Sequence, residues 1–249
     1  MIGRHYLRTT IRALGPDEPP TRITIAGLSY ERVHVFNHDF FAATALYEGG
    51  CGKIVLKLGR RVRFLGLPTA WMGRLSIRHE ARMYELLDGI PGIPRFTGRW
   101  GDHGFAHEFI EGHELAKGER VNDAFFDRLS ALIDELHRRD VAYVDLEKRE
   151  NVLVGDDGRP YLIDFQISFH VRPSRGGRTW PARLLLRVLK DADRYHLLKH
   201  FRRQRPDLIT AEQYMASRNP PLSISWHRRL FRPFTRARRK ALKEIHRND

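Results

Sequence analysis

The sequence predicts an α+β protein in which a small β-rich lobe with one main helix precedes a mostly helical lobe. Three observations carry that expectation. Four short strand-like runs fall before residue 60, apolar residues recur at helical spacing between Phe125 and Leu136, and the sequence beyond Asp164 is largely helix-forming and basic.

A Pro-rich entry loop at 15–20 is followed by strand-like runs at 22–26, 31–36, 40–48 and 53–58, read as a meander. Between the last two, Gly49-Gly50-Cys51-Gly52 provides a tight reversal, because glycine takes positive φ without steric cost. Residues 74–88 read as a helix with Leu75, Ala81, Tyr84 and Leu87 for an inner face and Gly89 as its C-terminal stop. A strand at 104–110 ends at Glu111-Gly112, where a connector begins. From Asp123, read as an N-cap, Phe125, Phe126, Leu129, Leu132, Ile133 and Leu136 form an amphipathic core helix ending at His137. A hairpin follows, 151–154 and 160–163, around Gly155-Asp156-Asp157-Gly158. The expected units are an N-terminal extension at 1–20, lobes at 21–110 and 111–225, and a basic segment at 226–249.

Composition excludes several classes. The 249 residues suit one large or two small domains, and 41% hydrophobic content with 14 Phe, 8 Tyr and 4 Trp argues against global disorder. Cys51 is the single cysteine, so no intramolecular disulfide and no multi-cysteine metal site can form. No apolar run approaches the roughly 18 residues that cross a bilayer, and Arg4 and Arg8 precede no continuous apolar stretch. A cytoplasmic protein is expected, with peripheral contact at the inner face of a membrane as an option. The net charge of +14 attracts nucleic acid, anionic lipid and phosphorylated substrates alike.

The chemistry-bearing stretch is Tyr143-Val144-Asp145, followed by Asn151 and then by Asp164 at the end of the hairpin. A core helix leads to a loop with one carboxylate and one amide, and the hairpin returns a second carboxylate to them. That arrangement suits phosphoryl transfer from a metal nucleotide, in which one Asp orients the acceptor hydroxyl while an Asn and another Asp hold magnesium. Taken singly, Asp164 could cap a turn and Asn151 could satisfy a loop backbone. His137-Arg138-Arg139-Asp140 mimics a catalytic triplet, but it lies at the helix end; His137 reads as a helix-end histidine and Asp140 as a turn residue.

On these residues the sequence resembles the protein-kinase-like superfamily, with Tyr143-Val144-Asp145 where that family has His-Arg-Asp and Asp164-Phe165-Gln166 where it has Asp-Phe-Gly. The resemblance implies a bilobal kinase-like fold and spans roughly residues 30–200. It implies that Lys57, in Ile54-Val55-Leu56-Lys57, touches the α and β phosphates of ATP and that Glu80 pairs with it. Main-chain groups of Glu108 and Ile110 would meet adenine. Asp145 would be the base, Asn151 and Asp164 would hold Mg or Mn, and Lys148, rather than Arg149, would stabilise the transferred phosphoryl group unless it is simply a solvated loop charge.

The sequence departs from the family pattern at several points. The segment 36–41 stands where a glycine-rich loop would cover the phosphates but contains no glycine, and Asn151 lies six residues after Asp145 instead of five. The segment after Asp164 is short and basic, with no Ala-Pro-Glu motif. The closer likeness is therefore to the compact bacterial branch of Rio-type and lipopolysaccharide-core sugar kinases, which phosphorylate anionic, membrane-linked acceptors. A Rio-type serine/threonine protein kinase, or a non-catalytic nucleotide- or RNA-binding module, stands as the alternative. Residues 226–249 carry nine Lys or Arg and two acids, interleaved with Trp226, Leu230, Phe231 and Phe234. They would lie on an anionic leaflet, or pack their aromatics on the second lobe.

Overall fold

The computed structural model describes residues 12–63, 67–172 and 179–220; residues 1–11 of the expected N-terminal extension and the whole basic segment at 226–249 lie outside them. The chain is a mixed α+β protein. Strands β1 (Arg22–Ile25), β2 (Leu28–His38), β3 (Ala42–Gly49) and β4 (Gly52–Gly59) form the expected antiparallel meander. Helix α1 (Ala70–Leu87) follows, and β5 (Phe96–Trp100) and β6 (Gly104–Glu108) complete a six-stranded sheet in the order β1-β2-β3-β4-β6-β5. The β3–β4 reversal pairs Gly49 with Gly52, whose φ of +105° needs glycine.

Alternation decides which side of β4 faces the chemistry. Ile54, Leu56 and Leu58 point into a core with Ile23, Ile25, Ala45 and Tyr47. Lys57 is left on the opposite face with α1, whose Glu80 it meets. The helix begins at Ala70, before the expected start, because Gly73 belongs to it: a Cβ there would sit 2.2 Å from the Arg60 carbonyl oxygen, so only glycine lets the helix lie this close to the strand end. Its buried stripe is Ile77, Glu80, Ala81, Tyr84 and Leu87, and Leu75, expected on the inner face, is exposed.

Beyond the sheet, β7 (Gly112–Glu114) joins the hairpin of β9 (Val152–Gly155) and β10 (Pro160–Leu162) in a three-stranded sheet. Strand β7 was invisible in the sequence, being a short exposed Gly-His-Glu run. Helix α2 (Phe125–Arg138) buries all six expected apolar residues. Asp123 does not cap it; its carboxylate instead pairs at 2.7 Å with Arg205, whose buried guanidinium outcompetes the helix end for a counter-charge. Short β8 (Val141–Ala142) pairs with β11 (Phe169–His170), and α3 (Trp180–Gln204) and α4 (Ala211–Arg218) follow. One core runs from α1 and β6 through α2 and the hairpin to Leu197 and Phe201 of α3. Among the described residues no helix is long and apolar enough to cross a membrane.

Candidate functional site

The site grows out of the turn after α2. Asp140 closes that turn at φ +58°, the conformation that makes it a turn residue, and β8 then delivers Tyr143, Val144 and Asp145. Val144 sits at φ +74°, where a β-branched side chain is strained by about 1–3 kcal/mol. The restraint comes from α3. Asp193, fully buried, accepts hydrogen bonds from the Tyr143 and Val144 amides, both at 2.8 Å, and its Oδ2 lies 3.1 Å from His137 Nε2. Two amides that the strained turn leaves without strand partners are thus satisfied by a single carboxylate.

Two clusters of chemistry-bearing side chains result. In the first, Lys57 Nζ lies 2.9 Å and 2.8 Å from the two Glu80 oxygens and 2.9 Å from Asp164 Oδ1. Burial works against the lysine charge, but the two carboxylates outweigh it and raise its pKa. Asp164 is shifted the opposite way: burial would raise it, and Lys57 pulls it below the ordinary carboxylate range. Burial pushes Glu80 up to about 7 against the pull of Lys57.

In the second cluster, Asp145 Oδ2 is 2.5 Å from Lys148 Nζ and accepts from Asn151 Nδ2 at 3.1 Å. Burial raises the Asp145 pKa, Lys148 and Asn151 oppose it, and the Asp164 charge adds to the rise, so the two clusters feel one another. The extra residue between Asp145 and Asn151 is absorbed by a single 3-10 turn, Arg149–Asn151. Glu147 in that loop is held by Lys199 at 2.9 Å, and the Leu146 carbonyl lies 2.6 Å from His200 Nε2, so α3 braces this part as well.

Ile163 ties the clusters together. Its amide donates to the Asn151 carbonyl at 3.1 Å and its carbonyl accepts from the Tyr143 hydroxyl, so the residue before Asp164 is strapped from both sides. Asp164 then takes φ +61°. Phe165, fully buried, stands edge-on to Tyr143 and Tyr84, each at 5.2 Å between ring centres. Gln166 Nε2 donates to Ser76 Oγ at 2.8 Å and the Ser168 carbonyl lies 2.9 Å from His79 Nε2, docking this segment on α1.

The donor set suits a hard divalent cation. Asn151 gives its amide nitrogen to Asp145, and Asp164 binds Lys57 through Oδ1, so among the described residues Asn151 Oδ1 and Asp164 Oδ2 carry no hydrogen bond. Among the described residues there is no cluster of three or more His, Cys, Asp or Glu ligands. Magnesium needs none, because it keeps waters and takes phosphate oxygens beside one or two protein ligands.

At the end of β6, the Glu108 amide is spent on the Arg95 carbonyl at 2.9 Å, and the Glu108 carbonyl lies 2.8 Å from His107 Nδ1. The main chain of Ile110 makes no hydrogen bond among the described residues, so its amide is available to a ligand. Phe109, between them, stacks on Phe36 of β2 with ring centres 6.2 Å apart. The β2–β3 turn is closed on itself: Asp39 Oδ1 accepts from the amides of Phe41 at 2.7 Å and Ala42 at 3.0 Å, and Oδ2 accepts from Asn37 Nδ2.

The structure thus brings Lys57, Glu80 and Asp164 into direct contact and places Asp145, Lys148 and Asn151 beside them, while Glu108 and Ile110 lie apart at the end of β6. Sequence reasoning missed Asp193, the Tyr143 hydroxyl and His107, whose pKa burial lowers to about 4. A signal for Asp193 existed: it falls in series with Leu186, Leu189 and Leu197, a carboxylate at a core position of an amphipathic helix. No family model matches the chain, and no curated protein matches it.

Proposed function

We propose that the chain is an ATP-dependent phosphotransferase with a bilobal kinase-like arrangement, residues 21–110 and 111–225 forming the lobes. The acceptor is a hydroxyl on an anionic molecule, and a lipopolysaccharide-core-type sugar is the class the sequence resemblance favours. The observation that carries this reading is Lys57, held by Glu80 from α1 and by Asp164, 107 residues away in sequence, with Asp145 and Asn151 strapped to the same Asp164 segment. One carboxylate is enough to balance a structural lysine, whereas Lys57 has two, from α1 and from the far end of the hairpin.

On this reading each residue has a role that its position supports. Asp145 accepts the acceptor's proton as the hydroxyl oxygen bonds to the γ-phosphorus; the bond from that phosphorus to the β-bridging oxygen breaks and its electron pair leaves with ADP. Lys148, whose ammonium lies on Asp145, would stabilise the charge that develops on the transferred group. Lys57, kept charged by its two partners, serves the α and β phosphates. Asn151 Oδ1 and Asp164 Oδ2 would hold Mg or Mn, which supplies neutralisation of the phosphate charge.

Asp39 favours a second reading, a nucleotide-binding module without turnover, because its carboxylate takes amides that a phosphate-covering turn would offer. A Rio-type serine/threonine protein kinase differs only in the acceptor. Labelled ATP and Mg, offered with lipopolysaccharide core, with generic protein and with no acceptor, separates the three. Transfer to the core should exceed the other two, and Asp145→Asn should lower it by roughly 100-fold or more while ATP binding is retained. Equal transfer by parent and variant would refute the assignment of Asp145, and absence of transfer with ATP binding intact would favour the module.

A further inference from the structure

The first half of α3 presents to solvent a face that its protein contacts do not explain. Leu186, on the inner side, is buried against Ala142 and Val171, with Ala182 and Leu189 packed beside it. On the outer side, Trp180, Leu184 and Leu185 are 76%, 51% and 46% exposed, and Trp180, Leu184 and Val188 recur at i, i+4, i+8. Beside that apolar strip runs a basic one, Arg183, Arg187 and Arg194, at i, i+4, i+11. The basic strip borders a shallow cavity of about 380 Å³, lined also by Lys190 and by two acids, Asp140 and Asp191.

The charges in the cavity are not balanced. Lys190 is committed to the His137 carbonyl and to Asp140 at 3.5 Å, and Arg194 pairs with Asp134 at 3.6 Å. The guanidinium groups of Arg183 and Arg187 make no hydrogen bond or ion pair among the described residues. A soluble partner helix would have to cover three large apolar side chains and two unpaired arginines at once. RNA would use the arginines and leave Leu184 and Leu185 against water.

We infer that this half of α3 is an interfacial helix that lies on an anionic lipid surface, with Trp180, Leu184 and Leu185 in the acyl boundary and Arg183 and Arg187 on headgroup phosphates. The apolar and the basic strips lie side by side, which is the order of chemistry met in crossing from the hydrocarbon edge to the headgroups. The aromatic at the helix start is an indole, whose apolar body and N–H donor suit that boundary. The contact does not depend on the phosphotransferase reading. Where that reading holds, it gains a geometry: Val144, the neighbour of Asp145, packs in the cluster formed on the inner side of these same turns, so a lipid-linked acceptor enters close to the base.

The test uses the full chain, with vesicles of phosphatidylglycerol and of phosphatidylcholine, and reads sedimentation together with tryptophan emission and its quenching by brominated acyl chains. The parent should bind the anionic vesicles, with blue-shifted and quenched emission, and the quenched component should vanish in Trp180→Phe, which leaves Trp71, Trp100 and Trp226 in place. Each arginine near such a surface is worth about fivefold in affinity, so Arg183→Gln with Arg187→Gln should weaken partitioning about 25-fold. Far-UV circular dichroism and the unfolding midpoint of the double variant should match the parent, since both side chains are exposed and unpaired among the described residues. Unchanged partitioning in the double variant would assign any binding to another segment, such as 226–249, and overturn the inference. Persistence of the quenched component in Trp180→Phe would do the same, as would a parent that prefers RNA or binds neither vesicle.

Discussion

The loop that carries Asp145 and the β2–β3 turn solve the same local problem in opposite ways. Both contain a sharp reversal whose amides lack strand partners. In the first, the amides of Tyr143 and Val144 are satisfied from outside by Asp193 on α3, some 50 residues away and fully buried. In the second, the amides of Phe41 and Ala42 are satisfied from within by Asp39, two and three residues before them and exposed. A distant buried acceptor fixes a loop to the rest of the molecule, whereas a local exposed one fixes only the shape of the turn. The Asp145 loop is therefore braced by a buried carboxylate on another element, whereas the outside ties of the turn run through main-chain carbonyls, those of Phe40 and Phe41 to Arg60 and that of Asp39 to the Ala13 amide.

The largest effect expected from that difference is at Asp193. Asp193→Ala removes the acceptor of two buried amides and the partner of His137, and leaves Val144 in a strained conformation with nothing to hold it. A loss of about 3–5 kcal/mol is expected, read as a fall in the denaturant midpoint. The same truncation at Asp39 should cost less than about 1 kcal/mol, because water replaces the carboxylate there. Equal losses would break the distinction between the two regions.

Next in size is Tyr143→Phe. The ring remains packed on Phe165, but the Ile163 carbonyl loses its hydroxyl donor, at an expected cost of about 1–2 kcal/mol. Because Ile163 precedes Asp164, on the proposed function phosphoryl transfer should fall more than stability does, with the loss in turnover and not in ATP affinity. Unaltered turnover would mean that the Asn151 strap alone positions Asp164.

A third test separates charge from position within the loop. Lys148 holds the Asp145 pKa down against the rise caused by burial. Lys148→Met removes that attraction, so the Asp145 carboxylate should be protonated up to a higher pH. On the proposed function, the acidic limb of the pH–rate profile should therefore move to higher pH. A fall in turnover at every pH, without movement of that limb, would confine Lys148 to the transferred phosphoryl group.

The two regions also differ in how much of them the sequence disclosed. The four-strand meander, the α2 face and the β9–β10 hairpin were legible because each is written in local terms, as alternation, a 3.6-residue period or paired glycines. Asp145, Asn151 and Asp164 were singled out as a set by residue type and order along the chain, and the structure brings Asn151 onto Asp145 and ties its carbonyl to the residue before Asp164. Asp193 was legible only as a carboxylate within an apolar series of α3; that this side packs on β8 and meets the Tyr143 and Val144 amides is recorded by no local pattern. The early start of α1 was hidden for a related reason: Gly73 lowers helix propensity, yet contact with the Arg60 carbonyl requires it. Asp123 shows the reverse error, a sound capping signal overruled by a buried arginine.

The smallest effect is expected at the β2–β3 turn, and it has the opposite sign. Asp39 holds two amides that would otherwise be free to meet phosphate and sets a negative charge beside them, so on the proposed function it weakens nucleotide binding twice over. Asp39→Asn keeps an acceptor for the amides and removes only the charge, and should tighten ATP by about two- to fivefold, the range for one exposed charge interaction. Asp39→Ala also frees the amides, and should tighten ATP further if the turn keeps its course. The order parent, Asn, Ala in rising affinity, measured by titration calorimetry with Mg present, would show that the turn lies over the phosphates and is held off them by its own carboxylate. Equal affinity in all three would place the turn away from the nucleotide. An Ala variant weaker than Asn would show that the turn's shape matters more than its free amides.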